Sequence, residues 1–444
     1  MDTQMLKKVF IATLGCPKND VDSEVLARFL SETGWIIVDA LDDAEIAIVN
    51  TCGFIESAKK ESIEAIWEMV TAKENGLIGK VVVTGCLAER YGDALVEEIP
   101  QLDAVLGNRD MSEIPGFLAE AIHTGNRVYR ANPANFSCDW YERPTGHSHP
   151  AWAYLKISEG CDNACCYCAI PRIRGPLRSV PIESLLRQAQ YIIDSGAREI
   201  VIIGQDTTAY GHDIGKKLFP ELIKRLSDIE GDFWIRVLYA HPKNLDTDNI
   251  KALTETPKVV PYLELPIQHF SDPILERMGR EVTSAEIREK VAILKELRPD
   301  IALRTSVIVG FPGETDDDFN RLADYIEEGY FCHGGVFEYS EEDGTIAASY
   351  SGKIPKETSE TRKHLIEMIF DRVICETNRR MEELTMPVLI ENAGIRPGLL
   401  WGRTQYDAPQ IDRMVRVRGN ASVGEIVDVN IIRGTEYHLL GVQE

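Results

Sequence analysis

Apolar positions along the first hundred residues alternate between two rhythms. Short runs rich in Val and Ile, at 9–15 (VFIATLG), 35–40 (WIIVDA), 45–52 (EIAIVNTC) and 80–86 (KVVVTGC), predict strands. Between them, apolar residues spaced by three and four predict helices at 20–34 (DVDSEVLARFLSETG) and 54–73 (FIESAKKESIEAIWEMVTAK). Strands alternating with helices argue for a parallel, doubly wound α/β sheet. From 118 to 149 the rhythm loosens into Pro, Asn, Gly and polar residues, which reads as a linker. Alternation then resumes. Six strand-like runs at 153–158, 199–206, 233–242, 262–269, 303–312 and 334–340 are separated by helical stretches such as 181–196 and 283–299. Six β/α units suit a partial (β/α)6 barrel better than a flat sheet. Its working face should lie at the C-terminal ends of the strands. A helical stretch at 358–384 follows. Past it come short β-like runs at 388–391, 414–419 and 425–433, broken by Gly and Pro, which read as a small all-β module. The expected organisation is 1–125, a linker at 126–150, 151–379 and 380–444.

The cysteines give this frame its chemistry. CDNACCYC at 161–168 is C-x3-C-x2-C, with Cys161, Cys165 and Cys168 as the spaced thiols and Cys166 as an extra. Three thiolates on one loop can hold three irons of a four-iron cluster and leave the fourth open, whereas four-cysteine ligation closes the cluster. Zinc would need a fourth ligand, and no His lies nearby to complete a tetrahedron. A disulfide suits neither the adjacent Cys165 and Cys166 nor a chain without secretory character. Three further cysteines, Cys16, Cys52 and Cys86, each end a predicted strand. Open parallel sheets bind ligands beyond that edge, so these thiols should converge. They read either as a second cluster with an open iron or as three half-buried core cysteines. Cys138 in the linker reads as incidental, and Cys332 and Cys375 as packing residues.

The 444 residues, too many for one ordinary core, predict two or three domains. No run of about 18 apolar residues occurs, so no transmembrane helix or membrane partner is expected. Ten cysteines without an export signal point to a reducing cytoplasm. The net charge of −23 has the wrong sign for a chain that grips nucleic acid through Lys and Arg. It suits attraction to a basic partner, or solubility alone.

The loop SEGCDNACCYC, after a predicted strand and with Tyr167 before its third spaced cysteine, resembles the radical S-adenosylmethionine (SAM) superfamily. TLGCPKN, NTCGFIESA, TGCLAERY, EGCDNACCYC, VIVGFPGET and the terminal module, which resembles a TRAM domain, occur together in one family. Over essentially its full length the chain resembles the methylthiotransferases. One branch of that family modifies an adenosine in tRNA; the other modifies an aspartate of the small-subunit ribosomal protein uS12. IIGQDTTAYG, ELPIQHFSDPIL, EYSEEDGT and RTQYDAPQID look like the uS12 branch, so the tRNA activity is the alternative.

The resemblance implies two 4Fe-4S clusters and SAM. Cys161, Cys165 and Cys168 would hold the radical-generating cluster, and Cys16, Cys52 and Cys86 an auxiliary cluster that carries the sulfur. One SAM would methylate that sulfur. Another would give a 5′-deoxyadenosyl radical that takes hydrogen from the β-carbon of the target aspartate. An external electron donor is implied, tRNA is not expected as a partner, and a monomer is the simpler state. The chemistry is borne by the cofactors, so no side chain is assigned as a catalytic acid, base or nucleophile. Tyr167, Gln205 and the turn at Gly310 are the candidate SAM contacts. Gln205 could equally cap a strand end, and His241 and His269 could equally be structural. One departure stands out. The family usually has Arg-Ser-Arg-Pro after the loop, and here it is Arg178-Ser179-Val180-Pro181. Arg172, Arg174 and Arg178 remain to compensate, or form a solvated basic turn.

Overall fold

The computed structural model describes residues 8–108, 111–124, 128–130 and 149–444. Its backbone divides into two compact units, one of residues 1–148, 158–162 and 168–188, the other of 149–157, 163–167 and 189–444. Cys138 and most of the expected linker lie outside the described residues.

The first unit is built from β1 (Lys8–Thr13), α1 (Pro17–Glu32), β2 (Ile36–Ile37), β3 (Ile46–Thr51), α2 (Glu56–Glu74), β4 (Lys80–Gly85), α3 (Cys86–Glu98), β5 (Ala104–Leu106), α4 (Ile114–Thr124) and β6 (Val128–Arg130). The sheet order is β2-β1-β3-β4-β5-β6, and every pairing is parallel. This is the expected doubly wound sheet, whose order reverses between β1 and β3. Every residue of β3 is buried, as befits a strand covered on both faces. α1 starts where Pro17 takes a first-turn position that needs no N–H, with Asp20 beside the positive helix end. Four elements, α3, β5, α4 and β6, escaped the sequence pattern, α4 because it runs into the stretch where the rhythm loosens. α3 was hidden behind the motif that opens it, β5 has only three residues, and β6 falls inside the stretch read as linker.

The chain then runs through β7 (Trp152–Lys156), β8 (Ser158–Glu159), α5 (Ile170–Arg174), β9 (Arg178–Ser179), α6 (Ile182–Asp194), β10 (Glu199–Ile203), α7 (Phe219–Ser227), β11 (Trp234–Val237), α8 (Thr247–Glu255), β12 (Val259–Glu264), α9 (Asp272–Arg277), α10 (Ser284–Leu297), β13 (Ala302–Val309), α11 (Asp316–Glu327), β14 (His333–Glu338) and α12 (Lys356–Arg380). In the second unit β7 and β10–β14 form one six-stranded sheet in sequential order, all parallel, as in a partial barrel. α10 begins with a capping box in which Thr283 and Glu286 satisfy each other's backbone N–H groups. The same unit ends in a closed five-stranded barrel of β15 (Thr385–Ala393), β16 (Leu399–Thr404), β17 (Met414–Arg418), β18 (Ile426–Gly434) and β19 (His438–Gln443), ordered β15-β16-β17-β19-β18. Closure removes the sheet edges that a small β-module would otherwise expose. Among the described residues no helix is long and apolar enough to cross a membrane.

RTQYDAPQID, at 403–412, lies at the N-terminal end of the six-stranded sheet, opposite the face expected to work. The Tyr154 and Tyr262 hydroxyls donate to Gln410 Oε1 (3.1 Å) and Asp412 Oδ2 (2.7 Å). Arg304 pairs with Asp412 at 2.5 Å, and Arg236 donates to the Gln405 carbonyl at 2.8 Å. His333, the first residue of β14, sits 3.4 Å from Asp407 and 3.6 Å from Asp412. Burial by itself lowers the His333 pKa, but Asp412 and the Cys332 thiol outweigh burial and Arg413, and hold it at about 9. A pKa raised above the unfolded value of about 6.5 stabilises fully below that value, and the stability is lost as pH rises through about 9. The denaturant midpoint should therefore fall between pH 6.5 and 9, and His333→Gln should start lower and lose most of that slope. An equal slope in the variant would assign the dependence to another group.

Candidate functional site

Parallel pairing brings Cys16, Cys52 and Cys86 to one sheet edge. Thr13 is level with Asn50 and Asn50 with Thr84, so Cys52 and Cys86 each stand two residues past a matched pair and Cys16 three. The edge is the β1/β3 reversal point, where open sheets leave a crevice for ligands. Cys16 is the N-cap of α1, and Cys86 is the first residue of α3.

Two glycines make the approach possible. Gly15 has φ +96, and a Cβ on it would lie 2.5 Å from Cys52 Cβ and 2.9 Å from its Sγ. A Cβ on Gly53 would lie 2.7 Å from Leu87 Cα, next to Cys86. Any side chain there would push the cysteine turns apart. Cys52 is further tied to α2, donating its N–H to Ser62 Oγ (3.0 Å) and accepting from that hydroxyl (2.8 Å).

Cys52 and Cys86 are buried and Cys16 is half-buried. Burial, then the neighbouring Cys86 thiol, pushes Cys52 up to about 12. Burial also raises Cys86, with the Arg174 guanidinium opposing it. Thiols that repel one another's ionisation fit a bound cation, which reverses the penalty. Among the described residues no three His, Cys, Asp or Glu side chains gather closely enough to ligate a single ion. A cluster asks instead that each thiolate reach its own iron, and three thiols brought to one sheet edge suit that larger group.

The 161–168 loop is irregular backbone pinned at its middle and its start. Cys166 is buried among Ile274, Met278, Phe311 and Ala347. Its Sγ donates to the Arg277 carbonyl (3.1 Å), its N–H to Met278 (2.9 Å), and its carbonyl accepts from Ala347 N (3.0 Å). The extra cysteine is thus an anchor, and the three spaced cysteines remain half-exposed. At the start, Cys161 N donates to the Gly175 carbonyl (3.2 Å), and Asp162 accepts from Leu177 N (2.9 Å). Asn163 donates to Asp206 Oδ2 at 2.7 Å. The same buried carboxylate accepts from Asn244 (2.6 Å) and Thr208 (2.7 Å).

Cys165 has two basic neighbours. Arg280 Nη1 lies 3.4 Å from its Sγ, and His241 Nε2 lies 3.8 Å away. His241 Nδ1 accepts from Lys243 N (3.1 Å), which leaves its proton on Nε2. Burial, then Arg280, holds its pKa well below the ordinary value, so it stays neutral. His269 is fully buried, accepts from Ser271 N (3.0 Å) and faces Glu314 at 3.7 Å, which is a structural role. Tyr167 packs edge-on to Phe311, and Gln205 is half-buried just past β10. Gly310 is buried with φ +72, and its N–H donates to the Glu314 carboxylate.

The three arginines after the loop divide. Arg172 is exposed, and Arg178 donates to the Pro176 (3.0 Å) and Arg174 (2.7 Å) carbonyls. Val180 is fully buried, which accounts for an apolar residue there. Arg174 is 2% exposed. It reaches Asp22 (2.7 Å), Glu159 (3.2 Å), Asn19 (2.5 Å) and Cys86 Sγ (3.3 Å). Ala169, next after Cys168, packs with Ile173 on Cys86. Sequence reasoning missed the Cys86 contact of Arg174 and the Cys165 contact of Arg280. Neither has a periodic or motif signal, since the partners are 88 and 115 residues away.

Three family models match the chain: the uncharacterized protein family UPF0004 over residues 8–107, the radical SAM superfamily over 155–326 and the TRAM domain over 384–443. The chain is 43% identical over 440 residues to a Geobacter sulfurreducens protein named ribosomal protein uS12 methylthiotransferase RimO, covering 98% of each chain. It is 40% identical over 443 residues to the protein of that name from Thermotoga maritima, covering 98% of this chain and 99% of the other. Among solved structures it resembles the radical SAM methyltransferase TsrM from Kitasatospora setae with tryptophan and a SAM analogue bound. That match has a TM-score of 0.57 and 15% identity, and covers 74% of this chain and 73% of that one. The cobalamin-dependent radical SAM enzyme OxsB with aqua-cobalamin bound matches with a TM-score of 0.54 and 15% identity, over 82% of this chain and 56% of that one. At such identity the likeness is one of fold.

Proposed function

The chain belongs to the ribosomal protein uS12 methylthiotransferase family and is a radical SAM enzyme that methylthiolates uS12; we propose that its target is the β-carbon of an aspartate and that two cysteine sets hold its clusters. SAM and 4Fe-4S clusters are the cofactors of the family. Cys161, Cys165 and Cys168 hold the radical-generating cluster. Cys16, Cys52 and Cys86 hold the auxiliary one. When bound, the first cluster and SAM supply a 5′-deoxyadenosyl radical and the second supplies the sulfur.

The observation that carries this reading is the convergence of Cys16, Cys52 and Cys86 at one sheet edge, with Ala169, the residue after Cys168, packed on Cys86. The chain's own residues position these groups. Cys166 fixes the loop, the Asp206 carboxylate holds Asn163, and Arg280 with neutral His241 flanks Cys165. No side-chain base is required, because an aliphatic C–H is too weakly acidic for one, and the cofactor does the hard step. Tyr167, Gln205 and the turn at Gly310 are the SAM contacts in this reading. The negative net charge favours encounter with basic uS12. The enzyme works as a cytoplasmic monomer with an external electron donor.

The test is anaerobic. The protein is reconstituted with iron and sulfide, then given SAM, a strong reductant and purified uS12. One methylthio group should appear on an aspartate of uS12. An unchanged uS12 mass with 5′-deoxyadenosine still formed would reject free uS12 as the substrate and move the search to uS12 within the small ribosomal subunit.

A further inference from the structure

Arg174 belongs by sequence to the helix that follows the radical-cluster loop, yet its guanidinium lies at the other cysteine set. It is buried, and one nitrogen, Nη1, is shared by Asp22 of α1 and Glu159 of β8. The other, Nη2, reaches Asn19 Oδ1 and Cys86 Sγ. Asn108 adds a longer contact to the same sulfur, at 3.8 Å, and donates to the Ile173 carbonyl at 3.2 Å. Such a network is over-built for packing alone. Asp22 and Glu159 hold the guanidinium from one side, so that its remaining N–H groups aim at the Asn19 oxygen and the sulfur. A planar fork with fixed donors serves this role, which a lysine does not reproduce. Arginine also keeps its proton under all working conditions.

We propose that Arg174 is a positioning residue that sets the reduction potential of the auxiliary cluster, through its charge and its N–H contact to the Cys86 sulfur. This rests on the reading of Cys16, Cys52 and Cys86 as cluster ligands. Cluster potentials follow net charge and hydrogen bonds to the sulfurs. A buried cation beside a ligand sulfur favours the more reduced form, because that form carries the extra negative charge. The same side chain ties α5, which begins two residues past Cys168, to Cys86.

The experiment uses the full chain carrying Cys161→Ala, Cys165→Ala and Cys168→Ala, so that the auxiliary cluster gives the only paramagnetic signal. Its midpoint potential is read by electron paramagnetic resonance during a redox titration. Arg174→Gln should shift it to a more negative value. Arg174→Lys keeps the charge and should shift it less. Arg174→Gln with Glu159→Gln removes one charge of each sign and should show the smaller shift due to the sulfur contact alone. A merely structural role would lower the melting temperature of these variants without moving the potential. An unmoved midpoint in Arg174→Gln would overturn the proposal. So would failure of all three variants to hold a cluster that the parent holds, since Arg174 would then be scaffold. If the parent itself assembles no cluster while the wild-type loop does, the assignment of Cys16, Cys52 and Cys86 fails instead.

Discussion

Cys52→Ala should leave SAM cleavage running while methylthio transfer to uS12 falls below detection, and Cys165→Ala should abolish both. The two cysteines differ in what depends on them. Cys165 is half-exposed on the pinned loop, with Arg280 at 3.4 Å from its sulfur. On the proposed ligand assignment, losing one of three thiolates there would remove the cluster that delivers the electron to SAM. Cys52 is buried at the β1/β3 edge, its turn held by Ser62 and crowded by Gly15. On the proposed ligand assignment, losing it would strip the sulfur-bearing site and leave the SAM site intact. Cys166→Ala is the control. That residue packs in an apolar cluster, so its loss should cost about 1 kcal/mol of stability, at the low end for a small buried side chain, with both activities kept because its backbone bonds to Met278 and Ala347, which alanine retains, still pin the loop. Chromatography of 5′-deoxyadenosine and the mass of uS12 read the two steps separately. Normal methylthiolation by either of the first two variants would remove that cysteine from the ligand set.

The two halves of this prediction differ in how they could be read from sequence. The 161–168 loop is local. Its three thiols are spaced by the chain itself, and even the spare role of Cys166 was visible as an extra residue. Convergence of Cys16, Cys52 and Cys86 required strand ends to be read first, and it succeeded because Val- and Ile-rich parallel strands announce themselves. What escaped were contacts with no period. α3 hides behind Cys86, and β5 and β6 are three residues each, too short for a pattern. Arg174 looked like one of several basic residues on a turn, and only Asp22, Glu159 and Cys86, from three other elements, make it a buried hub. The hydrogen bond from the Gly310 N–H to the carboxylate four residues on was likewise not legible in the sequence. RTQYDAPQID marked the uS12 branch by resemblance. Its physical work, filling the N-terminal end of the sheet, depends on Glu199, Arg236 and Arg304, each more than a hundred residues away in sequence.

That segment gives the largest expected loss of stability. Arg403→Met should lower the stability of the second unit by about 3–5 kcal/mol, the range for removing one partner of a buried ion pair. Arg403 is 1% exposed. It bonds Glu199 of β10, Glu391 of β15 (2.7 Å) and the Asp407 carbonyl (2.7 Å). Burial opposes ionisation of Glu199, but Arg236 and Arg403 outweigh it and hold the carboxyl below its ordinary range. Burial already raises Glu391 even with Arg403 beside it. Methionine fills much of the volume, so the loss comes from carboxylates deprived of a cation in a site water does not reach, rather than from a cavity. Distance does not decide the matter. Arg288 and Glu328 form an equally close pair on the surface, at 2.6 Å, and Arg288→Ala should change stability by only about 0–1 kcal/mol, because solvent screens that pair. Urea midpoints of the two variants, at unchanged slope, provide the comparison. Equal small losses would mean that the buried network is redundant, with Arg236 alone sufficient for Glu199. A large loss only in Arg403→Met would establish that the uS12-type segment holds the small β-barrel on the six-stranded sheet through buried charge.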